Sequence, residues 1–255
     1  YNMKKKIVLL ANYEPGYEIC KFLSSQENLL RLYVPKIESD WTQKIIDVSG
    51  LTKDNIFFTD KVEINSHVSD LKKMDIDYML TVYWPWILKP EVFNCSKHGC
   101  LNFHPALLPI NRGWYPHVFS IIDGTPTGVT LHFIDEHTDT GPIIAQKIVP
   151  IKPTDTAKAI YDREKYEIIS LFKEKWDDIR NNKLTPIPQD QSKAVHHSIK
   201  EIHALDEINL EKQYKARDLI NLLRARSFGN RGFAYYELDG EKIYLNLRLS
   251  YQNRF

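Results

Sequence analysis

Four short apolar runs, Ile7 to Ala11, Leu29 to Val34, Ile56 to Phe58 and Tyr78 to Val82, are separated by stretches that alternate polar and apolar residues like surface helices. Strands that read as continuous apolar runs are buried on both faces, so the pattern predicts an α/β fold with a mostly parallel sheet flanked by helices. At 255 residues, 43% hydrophobic and 26% charged, the chain is long and apolar enough to bury such a core. The first connection, Asn12 to Tyr17, holds a single glycine. A dinucleotide fingerprint needs several there, so that backbone can approach a pyrophosphate; a nicotinamide or flavin enzyme is not expected.

Further on, Thr127 to Phe133 and Ile143 to Val149 read as neighbouring strands, a hairpin carrying a long functional loop. A helix follows, with Thr154, Asp155 and Thr156 as N-cap candidates. Its residues Ile168, Phe172, Trp176 and Ile179 form a helical stripe that should pack on the sheet. Asn181 to Gln191, polar and containing Pro186 and Pro188, reads as a linker. Beyond it are expected a helix over Lys212 to Arg226 and a Tyr-rich hairpin within Gly232 to Leu247, turning at Asp239-Gly240. This divides the chain into residues 3–185 and a small C-terminal region, 186–255.

Net charge is +1, which gives no electrostatic case for binding nucleic acid or a membrane surface. Cys20, Cys95 and Cys100 are an odd number without a Cys-x-x-Cys pair, which argues for a reducing, cytoplasmic setting. No apolar run approaches a membrane span. Met3 to Ala11 starts basic but is too short in its apolar part for a signal peptide, and reads as the first buried strand. Tyr1 and Asn2 take no part in these readings.

The chemistry concentrates at Asn102-Phe103-His104-Pro105. On an extended strand, residues two apart share a face, so a carboxamide and an imidazole would emerge together at the strand's exit. Such a pair suits acyl transfer, with His104 as the base and Asn102 as an oxyanion donor. Asp139, in Thr138-Asp139-Thr140-Gly141-Pro142, brings a carboxylate on a turn. It could orient His104, stabilise its cationic form, or hold a proton-relaying water. Asp135 competes for that role. His132 and His137 read as exposed or hydrogen-bonded histidines, and no metal site is expected at them or among Cys95, His98, Cys100 and His104.

Asn-x-His-Pro with Leu107-Leu108-Pro109 and Arg112-Gly113, then Gly128-Val129-Thr130-Leu131-His132, then Asp139-x-Gly141-Pro142-Ile143-Ile144-Ala145-Gln146, resembles the folate-dependent formyltransferase superfamily. Among its branches the chain is most like the bacterial dTDP-amino-dideoxysugar N-formyltransferases. The resemblance implies a Rossmann-like sheet and 10-formyltetrahydrofolate as co-substrate, without a metal. It also implies that Asn102, His104 and Asp139 are the catalytic residues. The family's aspartate stands before the residue-Gly pair, which favours Asp139 and leaves Asp135 as a loop residue. Tyr83, Trp84, Pro85, Trp86, Ile87 and Leu88 would wall the pterin slot, with Ile134, Asp135 and Thr138 closing its other side. Core packing would explain Leu88 equally well.

The same resemblance places the amine acceptor against Arg112, Gly113, Trp114 and Tyr115, with Lys193 and Arg224 as candidates for a diphosphate and Tyr235 for a ring contact. It implies a dTDP-linked amino-dideoxysugar, foremost dTDP-4-amino-4,6-dideoxyglucose, in O-antigen and lipopolysaccharide synthesis. The Tyr-rich hairpin would pair two subunits in a homodimer. Other acceptors remain open: a dTDP-3-amino sugar, a UDP-amino sugar or methionyl-tRNA. So do a formyltetrahydrofolate hydrolase and a non-catalytic folate or nucleotide-sugar binding module.

Overall fold

A computed structural model describes residues 3–37, 39–61 and 63–252. Tyr1, Asn2, Glu38, Val62 and the last three residues of the expected C-terminal region, 253–255, lie outside the described residues. The strands are β1 (Lys6–Ala11), β2 (Asn28–Pro35), β3 (Ile56–Thr59), β4 (Tyr78–Val82), β5 (Cys100–His104), β6 (Thr127–Phe133), β7 (Ile143–Val149) and a later pair, β8 (Ala234–Leu238) and β9 (Glu241–Leu245). The helices are α1 (Tyr13–Gln26), α2 (Thr42–Ser49), α3 (Val68–Lys73), α4 (Pro90–Phe93), α5 (Pro116–Ile122), α6 (Ala157–Arg180), α7 (Ile199–Ala204) and α8 (Ala216–Ala225).

Seven strands form one sheet in the order β3-β2-β1-β4-β5-β6-β7. The pairs from β3 through β5 are parallel, and β5 pairs antiparallel with β6. The expected α/β architecture is thus observed. Strand order reverses between β1 and β4, and in open α/β sheets ligands bind beyond the carboxyl ends of strands at such a point. Tyr83 to Trp86 lie immediately after the end of β4.

The described residues fold as two compact units, one drawn from 3–104, 130–146 and 168–189 and the other from 105–129, 147–167 and 190–252. In the first, β1 and β4 are buried along nearly their whole length, with Val8, Leu10, Met79 and Cys100 in one cluster with Tyr33, Ile76, Leu88, Val92 and Phe93. Each such side chain contributes roughly 1.5–3 kcal/mol by leaving water. The stripe Ile168, Phe172, Trp176 and Ile179 on α6 is buried as its spacing requires. Phe172 meets Phe103 of β5 with ring centroids 5.0 Å apart. Because neighbours on a strand face opposite ways, Phe103 anchors β5 through one face and leaves Asn102 and His104 on the other.

The segment 181–191 does more than connect. Ile187 pairs with Ile143 of β7 through two backbone hydrogen bonds of 2.8 Å, each residue donating once.

In the second unit, Val118, Phe119 and Ile121 of α5 pack with Ala157, Ile160, Ile202 and Ala225. Helix α7 was not anticipated, although Ser198 and Glu201 spell its capping box. Helix α8 starts later than its expected bound at Lys212. Asn209 takes the backbone N–H of Glu211 on its side chain, and a polar side chain bonded to nearby backbone competes with helix formation. The hairpin β8–β9 turns at Asp239-Gly240 as read, with φ of 52° and 81°, the left-handed pair that a two-residue turn demands. Among the described residues, no helix is long and apolar enough to cross a membrane.

Candidate active site

Strands β5 and β6 pair so that Asn102 faces His132 and His104 faces Thr130, which puts all four side chains on one side of the sheet. Asn102 is held at both ends of its carboxamide. Its Oδ1 accepts from the Thr81 hydroxyl at 2.9 Å, and its Nδ2 lies 3.0 Å from His132 Nε2. His132 Nδ1 is 2.8 Å from the Phe133 carbonyl, so Nδ1 carries the proton and Nε2 accepts from Asn102. Burial holds His132 well below the usual imidazole range, only partly offset by the Asp139 carboxylate, and this keeps it neutral. Among the described residues, one N–H of Asn102 is therefore left for another acceptor.

Asp139 stands 3.5 Å from His104 Nδ1 and 3.9 Å from His132 Nε2, through the same carboxylate oxygen. With its Nδ1 hydrogen turned to that carboxylate, His104 presents the Nε2 lone pair on its other side. That nitrogen is buried and has no hydrogen-bond partner among the described residues. The structure therefore brings Asn102, His104 and Asp139 together, and adds His132. The sequence reading missed His132 as a site residue. The available signal was the alternation of Thr130 and His132 along a strand destined to pair with Asn102-x-His104.

The loop carrying Asp139 is tight. Asp139 has φ of +56°, and a Cβ on Gly141 would lie 1.8 Å from the Phe133 carbonyl oxygen, so only glycine passes there. Asp135 accepts from the Thr140 hydroxyl and the His137 backbone, the work of a loop residue.

Of the expected pterin wall, Trp84 and Ile134 both pack against the same core cluster, and Trp86 meets Trp84 edge-on at 5.2 Å. The Trp84 indole nitrogen is buried and lacks a partner among the described residues, a donor suited to an acceptor on a ligand ring. Tyr83 takes a left-handed φ of 53°. Pro85 and Ile87 are exposed, Thr138 is half-buried, and Leu88 belongs to the core.

The expected acceptor residues lie in the second unit. Arg112 and Gly113 pair with His196 and His197. At Gly113, φ is +87° and a Cβ would come within 2.5 Å of the His197 carbonyl oxygen, so the glycine is required. The buried Arg112 donates to Gln191 at 3.0 Å. Trp114 and Tyr115 are 49% and 42% exposed, with rings 5.9 Å apart. Lys193 is exposed and pairs with Asp190. The Arg224 guanidinium is engaged by the carbonyls of Asp155 and Lys152 and by Asn221, which is a structural clamp. Tyr235 lines a cleft of about 760 Å³ with Arg231, Phe233, Lys242 and Tyr244. Among the described residues, no group of three or more His, Cys, Asp or Glu side chains is arranged to hold a metal.

A Rossmann-like sheet carrying an Asn-His-Asp cluster suited to group transfer is what the fold and site define, and residues 37–172 match the formyl transferase family. That is more than half of the chain: it belongs to this family. Residues 201–251 match the N-formyltransferase dimerization C-terminal domain. The chain is 34% identical over 154 residues to the dTDP-4-amino-4,6-dideoxyglucose formyltransferase of Mycobacterium bovis, covering 59% of this chain and 64% of that one. It is 32% identical over 166 residues to the methionyl-tRNA formyltransferase of Thermodesulfovibrio yellowstonii, covering 65% and 53%. The chain thus spans from about half to just under two thirds of the length of these curated relatives. The crystal structure of a 4-N formyltransferase from Francisella tularensis superposes with a TM-score of 0.83 at 26% identity, over 97% of this chain and 98% of that one.

Proposed function

We propose that the protein is an N-formyltransferase that moves a formyl group from 10-formyltetrahydrofolate to the amine of a dTDP-linked amino-dideoxysugar, with dTDP-4-amino-4,6-dideoxyglucose the foremost acceptor and O-antigen sugar synthesis the setting. The observation that carries it is the buried His104, with Nδ1 turned to Asp139 and with Nε2 unpartnered among the described residues, beside an Asn102 that has one N–H left over among them. The folate supplies the activated formyl carbon. His104 Nε2 takes the proton shed by the attacking amine and returns it to the nitrogen that departs. Asn102 Nδ2 aims its remaining N–H at the negative charge that develops on the formyl oxygen. Asp139 balances the positive charge that passes through the imidazole. Trp84, Trp86 and Ile134 supply apolar surface and one indole donor for a flat heterocycle.

The sugar acceptor is supported by the relatives from M. bovis and F. tularensis, whose names specify a dTDP-amino sugar and a 4-amino position. The exposed Trp114 and Tyr115 offer ring faces for a base or sugar. Incubating the protein with 10-formyltetrahydrofolate and each of the dTDP-4-amino, dTDP-3-amino and UDP-amino sugars, methionyl-tRNA, or no amine tests this. Formamide on the dTDP-4-amino sugar is the expected result. Preference for another amine would reassign the acceptor, folate turnover without any amine would make the protein a hydrolase, and no turnover anywhere would make it a binding module.

A further inference from the structure

Asp139 acts only if its carboxylate is presented to His104, and within its own loop Asp135 already takes the hydroxyl of the adjacent Thr140. Asp139 sits in a left-handed conformation between β6 and β7, and a backbone hydrogen bond from Phe133 to the Pro142 carbonyl at 3.0 Å closes the loop base. A second tie on the loop comes from 50 residues away. Gln189, only 7% exposed, donates through its single Nε2 to the carbonyls of both Asp139 at 2.9 Å and Gly141 at 2.7 Å. A carboxamide nitrogen has two hydrogens, and here each has its own carbonyl, on either side of Thr140. The position of Gln189 is set in turn by Ile187, two residues earlier and doubly bonded to Ile143 at the start of β7.

We infer that Gln189 is a positioning residue for formyl transfer: it clamps the backbone on both sides of Thr140 and thereby holds the Asp139 carboxylate against His104. The inference rests on the formyl-transfer reading of the site. Donation by a neutral amide is the essential property. A carboxylate of the same shape has no hydrogens to give and would set its charge against two carbonyl oxygens.

The test compares Gln189→Glu and Gln189→Ala with wild type, alone and combined with Asp139→Asn. Displacing a catalytic group by about an ångström costs up to roughly a hundredfold in rate. Both single variants should lose roughly tenfold to a hundredfold in kcat, with KM for either substrate within about twofold. In the Asp139→Asn background, Gln189→Ala should lower the residual rate by less than about twofold, because the group it positions is already gone. Amide hydrogen exchange at residues 139–141 should accelerate in both Gln189 variants, whatever the activity. Wild-type kcat in Gln189→Glu, a full multiplicative loss in the double variant, or unchanged exchange at 139–141 would each overturn the inference. A wild-type protein that transfers no formyl group would instead overturn the functional reading, which the exchange measurement leaves separate.

Discussion

Asn102 and His132 stand opposite each other on adjacent antiparallel strands, with 3.0 Å between Nδ2 and Nε2, and the neutral ring of His132 uses up one of the two amide hydrogens of Asn102. With Thr81 on its oxygen, Asn102 has its amide plane fixed before any substrate arrives. Such a donor needs no reorganisation when charge develops.

Asn102→Ala should therefore reduce kcat by roughly a hundredfold or more. His132→Phe, which fills the same space but frees the amide to rotate, should cost less, about tenfold, with KM nearly unchanged. Steady-state kinetics of the two variants check this. No loss in His132→Phe would remove His132 from the machinery, and a loss equal to that of Asn102→Ala would give it a role beyond orienting Asn102.

His104→Ala and Asp139→Asn should each lower kcat by about a hundredfold to ten-thousandfold while nucleotide-sugar affinity, read by calorimetry, stays within a few-fold. Their contribution lies in the transition state. Loss of binding parallel to loss of rate would show that the cluster serves ground-state binding.

Glu164 gives a pH dependence of opposite sense to the usual carboxylate. It is fully buried, accepts from the Thr127 hydroxyl at 2.6 Å, and burial raises its pKa well above the ordinary value, against smaller opposing effects of Thr127 and Arg163. The folded state therefore keeps a proton that the unfolded state releases as pH rises above about 4.3. Stability falls by about 1.4 kcal/mol per pH unit from there until the folded carboxyl itself ionises. Glu164→Gln, which keeps the acceptor for Thr127, should raise Tm at pH 8 relative to wild type and have no effect at pH 4. A Tm lowered equally at both pH values would mean that the loss is one of packing.

His117 carries the reverse sign. Burial pushes it down to about 3, with Arg226 adding to the effect. The unfolded chain binds a proton that the folded one refuses as pH falls below about 6.5. His117→Phe should therefore blunt the loss of Tm between pH 6.5 and 4, measured against the same scans of wild type.

The C-terminal hairpin exposes Leu238, Ile243 and Tyr244. If residues 201–251 pair two copies, as the matching domain family's name implies, Ile243→Asp with Tyr244→Asp should give a monomer in sedimentation. Retention of a dimer would place the contact elsewhere, and a wild-type monomer would dismiss it.

The buried strands, the α6 stripe and the Asp239-Gly240 turn were legible in the residues alone, because apolar periodicity and left-handed turn chemistry are local properties. Asn102 and His104 were legible as a pair for the same reason, since strand alternation puts them on one face. The choice of Asp139 over Asp135 and the pterin wall came from resemblance in motif wording, which no spacing rule would have supplied. What only the tertiary structure decided is whatever depends on contacts between distant segments. His132 became part of the site through strand register, Gln189 reached the Asp139 loop across 50 residues, and Arg224 was drawn off to carbonyls. A side chain's pattern tells which way it points from its own strand or helix, but its partner, and hence its protonation and its work, is set by what the fold packs opposite it.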